Sequence, residues 1–118
     1  MGSSFKKIER ILKRKDFSAV YAGGKRFYSS SFVVIVRGHA QLRRIGVVVS
    51  KRVGKAHRRN RIKRLLREFY RLNSSLFPTG MDIIVIANRP TKLDNLQQVG
   101  VELSEVLSKC SRLKHSEV

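Results

Sequence analysis

Acidic residues are scarce in this chain: 8 Asp and Glu stand against 26 Lys and Arg in 118 residues. The eight acids are scattered singly, apart from Glu102 and Glu105, whose i, i+3 spacing puts them on the polar side of a helix, facing solvent. A metal-dependent nuclease needs several carboxylates converging on its ions, and no such group is legible. There is one cysteine, Cys110, which excludes an internal disulfide and a thiolate zinc site and points to a reducing, cytoplasmic setting. No stretch approaches the roughly 20 apolar residues that span a bilayer. The first residues carry no apolar secretory run. Met1-Gly2 is followed by Lys6 where a myristoylation motif needs Ser or Thr. Internal repeats are absent.

What is present is a core and a large positive charge. With 42% hydrophobic residues, the chain suits one domain over 1–118, with an ordered core from about 8 to 112 and short loose termini. The formal charge is +18, far too high for a generic solubility device, yet Val, Ile and Leu are too abundant for a disordered basic tail. All of the excess lies in residues 1–80, which hold 21 basic and 3 acidic side chains, whereas residues 81–118 hold 5 of each. A membrane-bound helix would spend its apolar residues on an exposed face; here they are placed as core. The expected partner is therefore nucleic acid, with no membrane.

Along the chain, Asp16 before Phe17, Val20 and Tyr21, with Gly23-Gly24 after them, reads as a short N-capped helix. Phe32 to Val36 and Ile45 to Val49 read as strands joined by a hairpin connection from Arg37 to Arg44, and Lys25 to Tyr28 as an earlier edge strand. From Ala56 the period becomes helical, with Ile62, Leu65, Leu66, Phe69 and Leu72 on one stripe. Pro78 and Gly80 close that segment, Ile83 to Ala87 forms a buried strand, and Asp94 caps a last helix whose stripe ends at Cys110. The order α-β-β-β-α-β-α predicts an α+β sandwich: a four-stranded mixed sheet with helices packed on one face. The strands at 45–49 and 83–87 are expected to be parallel neighbours joined through the long helix. General rules make that crossover right-handed.

Lys51 to Leu72 carries ten Lys or Arg against one Glu, Glu68. At 100° per residue its apolar stripe lies opposite Asn60, Arg64, Arg67 and Arg71, so one side packs and the other is a cationic row able to track a phosphate backbone. Lys51, Arg52, Arg58, Arg59 and Lys63 extend it. Single-stranded nucleic acid is held by aromatic platforms in positive grooves. Phe17 and Tyr21, one helical turn apart, could form such a platform beside Phe32 and Val33, although Phe17 serves equally well as core. His57, beside Arg58 and Arg59, suits a neutral RNA contact better than a general base. His39, His57 and His115 have no local Ser, Cys or Asp partner, and Cys110 reads as a buried structural thiol.

The run Ser50-Lys51-Arg52-Val53-Gly54-Lys55-Ala56, then Arg59-Asn60-Arg61-Ile62-Lys63-Arg64-Leu65-Leu66-Arg67, resembles the Arg-Asn-Arg signature of the bacterial ribonuclease P protein subunit. Asp16-Phe17, Val20-Tyr21, Gly24, Ile45 to Ser50, Ile83 to Ala87, Arg89 and Pro90 match the same family, and the resemblance covers residues 8–110. It implies an accessory subunit of an endoribonuclease in which a catalytic RNA, using Mg2+, removes the 5′ leader of precursor tRNA. The protein then carries no catalytic residue and no metal site, and requires no protein partner. The resemblance places Arg52, Arg59, Asn60, Lys63, Arg64 and Arg67 against the catalytic RNA, and Phe17, Tyr21 and Val33 in a cleft for the leader. It also implies a left-handed crossover around the signature helix, which we adopt over the general rule. His57 and Ile35 depart from the family pattern, where a small aliphatic and an aromatic residue are common; the second departure leaves apolar contact rather than stacking on that strand. A structural RNA-binding protein, such as a ribosomal component, and an autonomous nuclease are the alternatives.

Overall fold

In the computed structural model, residues 14–38 and 43–110 are described. His39, His115 and residues 8–13 and 111–112 of the expected core lie outside them. The elements run α1 (Arg14–Gly23), β1 (Lys25–Tyr28), β2 (Phe32–Gly38), β3 (Arg44–Val49), a 3-10 turn (Lys51–Val53), α2 (Ala56–Leu72), a second 3-10 turn (Ser74–Leu76), β4 (Met81–Ala87) and α3 (Leu96–Cys110). This is the expected α-β-β-β-α-β-α order.

The sheet has four strands in the order β1-β2-β4-β3. β3 and β4 are parallel and are joined through α2, as expected. The expected hairpin between β2 and β3 does not form, because β4 lies between them, antiparallel to β2. The reason is hydrophobic. All seven residues of β4 are buried, which only a central strand covered on both faces can satisfy, whereas β3 keeps Val47, Val48 and Val49 half-exposed at an edge. β1 is the other edge, short and led by Lys25 and Arg26, a composition that discourages edge-to-edge pairing.

Helices cover both faces of this sheet, not one. Phe32, Val34, Val36, Ile45, Ile83, Val85 and Ala87 point to the side on which α2 and α3 deposit Ile62, Leu66, Phe69, Val99, Leu103, Val106 and Leu107. Val33, Ile35, Ile84 and Ile86 point to the other side, where α1 supplies Val20 and, partly buried, Phe17. Alternation along each strand enforces the division. α1 lies close against β2 because Gly24 has no side chain: a Cβ there would come within 2.5 Å of Ile35 Cγ2 and of the Val20 carbonyl.

Three helix boundaries depart from the sequence reading. Asp16 sits within the first turn of α1, not at its cap. α2 stops at Leu72, ahead of Pro78, because Asn73 turns its backbone N–H and side-chain amide onto the Phe69 carbonyl at 2.9 and 3.2 Å. α3 is capped by Asn95, whose Oδ1 accepts the Gln98 N–H at 2.9 Å while Gln98 Oε1 accepts the Asp94 N–H at 2.7 Å. Asp94 is thereby released for another role.

One end of the α1 face is polar. Arg44 donates from Nε and Nη2 to the two oxygens of Asp82, both at 2.8 Å, and its Nη1 lies 3.3 Å from Asp16 on α1. Asp82 is 1% exposed, so this pair ties α1 to β3 and β4 where water is excluded. It also raises the Arg44 pKa, chiefly through the hydrogen bond to Asp82. Arg43 turns to the opposite side, where it donates to the Ser74 and Phe77 carbonyls at 2.9 and 3.1 Å and lies 5.2 Å from the Tyr70 ring centroid.

Removing Asp82 leaves Arg44, 24% exposed, with Asp16 as its remaining acidic partner, so the cost is smaller than for a fully buried pair. Asp82→Ala is expected to lower stability by about 2 kcal/mol, and the double variant Asp82→Ala/Arg44→Met to recover most of that loss in urea denaturation. Cys110 is fully buried at the end of α3, and burial pushes its thiol up to about 12. A folded pKa above the unfolded one leaves stability level below the unfolded value and erodes it as pH rises toward the folded value. At pH 8 the folded chain should hold about a thousandfold less thiolate than the denatured chain, read as slower labelling by a disulfide reagent.

Candidate nucleic-acid interface

α2 can carry a cationic face because its buried residues, Ile62, Leu66, Phe69 and Tyr70, take one side of the cylinder. Asn60, Lys63, Arg64 and Arg67 fall within an arc of about 100° on the other side. The side chains of these four, like those of Lys51 and Arg52, make no hydrogen bond or ion pair to any described residue, whereas other cations of the segment do. A surface depression of about 530 Å³, lined by His57, Arg61, Arg64, Leu65 and Glu68, borders this face at Arg64. His57 is exposed there.

Four other cations of the segment are engaged within the fold. Arg58 donates to Asp94 Oδ1 at 3.1 Å, to the Thr91 carbonyl at 2.7 Å and to the Leu93 carbonyl. Arg61 reaches the same Asp94 at 2.9 Å. Together they bolt α2 to the loop before α3. Arg59 donates to the Gly54 carbonyl at 2.8 Å, closing the turn in which Gly54 adopts φ 147, a region that favours glycine. Arg71 pairs with Glu68, so the one acid of the helix holds an intrahelical i, i+3 partner; that contact lowers the Glu68 pKa and raises that of Arg71. Of the nine basic-segment residues expected to contact RNA, six have side chains with no bond to a described residue, whereas Arg58 and Arg71 are engaged through two nitrogens each and Arg59 through one.

Ser50 links this helix to the sheet. Its N–H extends the β3–β4 pairing to the Ala87 carbonyl at 2.9 Å, and its Oγ accepts the Arg52 N–H at 3.2 Å. Lys51 and Arg52 are thus fixed at the end of β3, exposed, between the sheet and the cationic face of α2.

The α1 face of the sheet consists of three cross-strand rungs. Arg37, Asp82 and Arg44 form the polar one; Arg26, Ile35, Ile84 and Gly46 form the middle one; Tyr28, Val33, Ile86 and Val48 form the third. α1 is anchored at the polar rung through Asp16 and packs Val20 against the sheet. The third rung is less covered: Val33 and Ile86 keep 8% and 9% exposure where Ile35 and Ile84 have none. Phe17 and Tyr21 lie side by side on α1, with ring centroids 6.5 Å apart and planes tilted by 34°. Phe17 is half-buried against the sheet, and Tyr21 is 37% exposed. The structure therefore puts Phe17 on the cluster that contains Val33, with Tyr21 beside Phe17, and this surface is the candidate groove. It does not bring Phe32 there: Phe32 points to the opposite face, 1% exposed, because neighbours along a strand alternate.

Two functions of side chains escaped the sequence. Glu102 does not face solvent: one carboxylate oxygen accepts both the Ser29 hydroxyl and the Ser31 N–H, clamping the β1–β2 turn to α3. Tyr28, 57% exposed at the end of the third rung, carries no periodic signal because β1 spans four residues. Among the described residues no group of three or more His, Cys, Asp or Glu could hold a metal ion, and no helix is long and apolar enough to cross a membrane. The chemistry on offer is phosphate pairing on α2 and apolar and aromatic contact in the groove.

Residues 5–111 match the family described as Ribonuclease P. The Ribonuclease P protein component of Desulfosudis oleivorans is 42% identical over 110 residues, covering 92% of this chain and 91% of that protein. That of Syntrophus aciditrophicus is 40% identical over 107 residues, covering 90% of each. The solved RNase P protein of Thermotoga maritima superposes with a TM-score of 0.75 at 34% identity, covering 90% of this chain and 98% of that one.

The division of cations on α2 is testable by stability alone. Arg58→Ala should cost about 2 kcal/mol, since it strips charge-assisted hydrogen bonds from two carbonyls and a carboxylate. Arg64→Ala should stay within about 0.5 kcal/mol of the parent in the same denaturation experiment.

Proposed function

The chain belongs to the ribonuclease P protein family, the protein subunit of the assembly that processes tRNA 5′ leaders, and from that premise we propose how its two surfaces divide the work. The α2 face, with Asn60, Lys63, Arg64 and Arg67 and with Lys51 and Arg52 beside it, seats the chain on the ribonuclease P RNA. The groove of Phe17, Tyr21 and Val33 holds the single-stranded 5′ leader of precursor tRNA. Bond cleavage belongs to the RNA, where Mg2+ would supply the activated water and the charge stabilisation; the protein contributes binding, in the cytoplasm, and needs no second protein.

Two polyanions repel, and a polycation between them compensates phosphate charge while releasing counterions. Because the groove touches only the leader, the free energy it contributes is present in the precursor complex and absent from the product complex. The protein thus raises affinity for substrate over mature tRNA. The observation that carries this reading is the row of side chains on α2 without internal partners, in a chain of formal charge +18. A ribosomal role would use the same row but would give the exposed aromatic groove nothing to do.

Reconstitution with purified catalytic RNA at low Mg2+ tests it. The chain should stimulate 5′-end cleavage, and alone should cut nothing. Arg64→Ala should weaken assembly with the RNA and reduce the salt slope of log affinity by about one. Tyr21→Ala should weaken precursors that carry a leader by about 10-fold or more, the worth of a stacked base, and leave leaderless tRNA unchanged. Equal losses for both substrates would remove the leader from the groove.

A further inference from the structure

We infer that Tyr28 is a second stacking platform for the leader, one that sets how many leader nucleotides the protein grips; this rests on the groove assignment above. The argument begins with register. Tyr28 is the Cα partner of Val33, Val33 of Ile86, and Ile86 of Val48. Directly paired residues share a face of the sheet, so the floor of the groove continues without interruption from β3 to the outermost strand and ends in an aromatic side chain. With strands about 4.8 Å apart, this strip is about 14 Å across, room for more than one nucleotide.

Tyr28 is built for contact with something outside the fold. It is 57% exposed, more than any other large hydrophobic residue of the described sheet, and its side chain has no hydrogen bond to a described residue. A tyrosine presents a large rigid surface at low entropic cost, and every base has a face that stacks on it.

The occupant is single-stranded RNA by charge. Arg26 points to the same face two residues before Tyr28, and its guanidinium donates to the Tyr21 carbonyl at 3.2 Å. A cation on the same face as Tyr28 is therefore held to the backbone of Tyr21, available to a phosphate of a strand that stacks on the two tyrosines. Lys51 and Arg52 stand beyond the far end of the strip, just past β3. An apolar floor with tyrosine at its edge and cations at both ends matches a base-stacking, phosphate-neutralising site. It offers nothing that would orient a polypeptide.

The test uses reconstituted holoenzyme and precursors whose leaders are lengthened one nucleotide at a time. With the parent chain, affinity should rise with leader length in two stages. Tyr28→Ala should abolish the second stage, about a 10-fold loss for long leaders, with no loss for leaders too short to cross the strip. Tyr28→Phe should restore it, because the ring face, not the hydroxyl, carries the contact. A 2-aminopurine walked along the leader should be quenched at a distal position by the parent and the Phe variant but not by the Ala variant. Equal affinity of the parent and Tyr28→Ala at every leader length, or a loss independent of length, overturns the inference while the groove stands. A parent chain that binds leaderless tRNA as tightly as precursor overturns the groove assignment and this inference with it.

Discussion

The buried pair of Arg44 and Asp82, with Asp16 leaning on it from α1, decides where the first helix sits. A helix of ten residues with one fully buried side chain has little apolar area to hold it. Without the polar rung it could slide along the sheet. Pinned there, it covers the middle rung with Val20 and leaves Val33 and Ile86 of the third rung slightly less buried than Ile35 and Ile84. The groove exists because a salt bridge at one end of the sheet fixes the position of a weakly packed helix. Such a pair is poor as a source of stability but effective as a specifier of register.

A second division runs through the positive charge. Arg43, Arg44, Arg58, Arg61 and Arg71 are spent on carbonyls and carboxylates inside the molecule. Arginine suits that work because its planar fork satisfies two acceptors at once. What remains is displayed on α2 and at its approach, paired with no acid among the described residues. A family that must adhere to RNA through phosphates needs such unsatisfied cations, and the fold keeps them apart from those it consumes.

The sequence carries the type of nearly every element, because period 2 and period 3.6 are written in the apolar residues of 32–36, 45–49, 62–69 and 99–110. It does not carry strand order, since pairing depends on which strand is buried on both faces, and the hairpin expected between β2 and β3 gives way to an inserted β4. The cationic row was legible from helical spacing, but the difference between Arg58 and Arg64 was not. Arg58 is occupied by a loop some 35 residues away, and that loop is free to take it because Asn95, not Asp94, caps α3. Phe32 and Val33 were both expected in the groove, yet adjacent strand residues cannot share a face. Tyr28 went unremarked for the opposite reason: its neighbours across the sheet, not along the chain, give it meaning.

The insertion of β4 also bears on the order in which the molecule is made. When synthesis has passed α2, β2 has only its outer neighbour β1 and β3 has no partner at all, and the facing edges of both await residues 81–87. The sheet cannot zip up vectorially as the chain emerges, because its centre is translated after both flanks. Long-range closure of this kind is slow relative to local pairing. The polycationic stretch is thus out of the ribosome before there is a core to support it, in a compartment crowded with RNA, and the nascent protein meets polyanions while still half assembled.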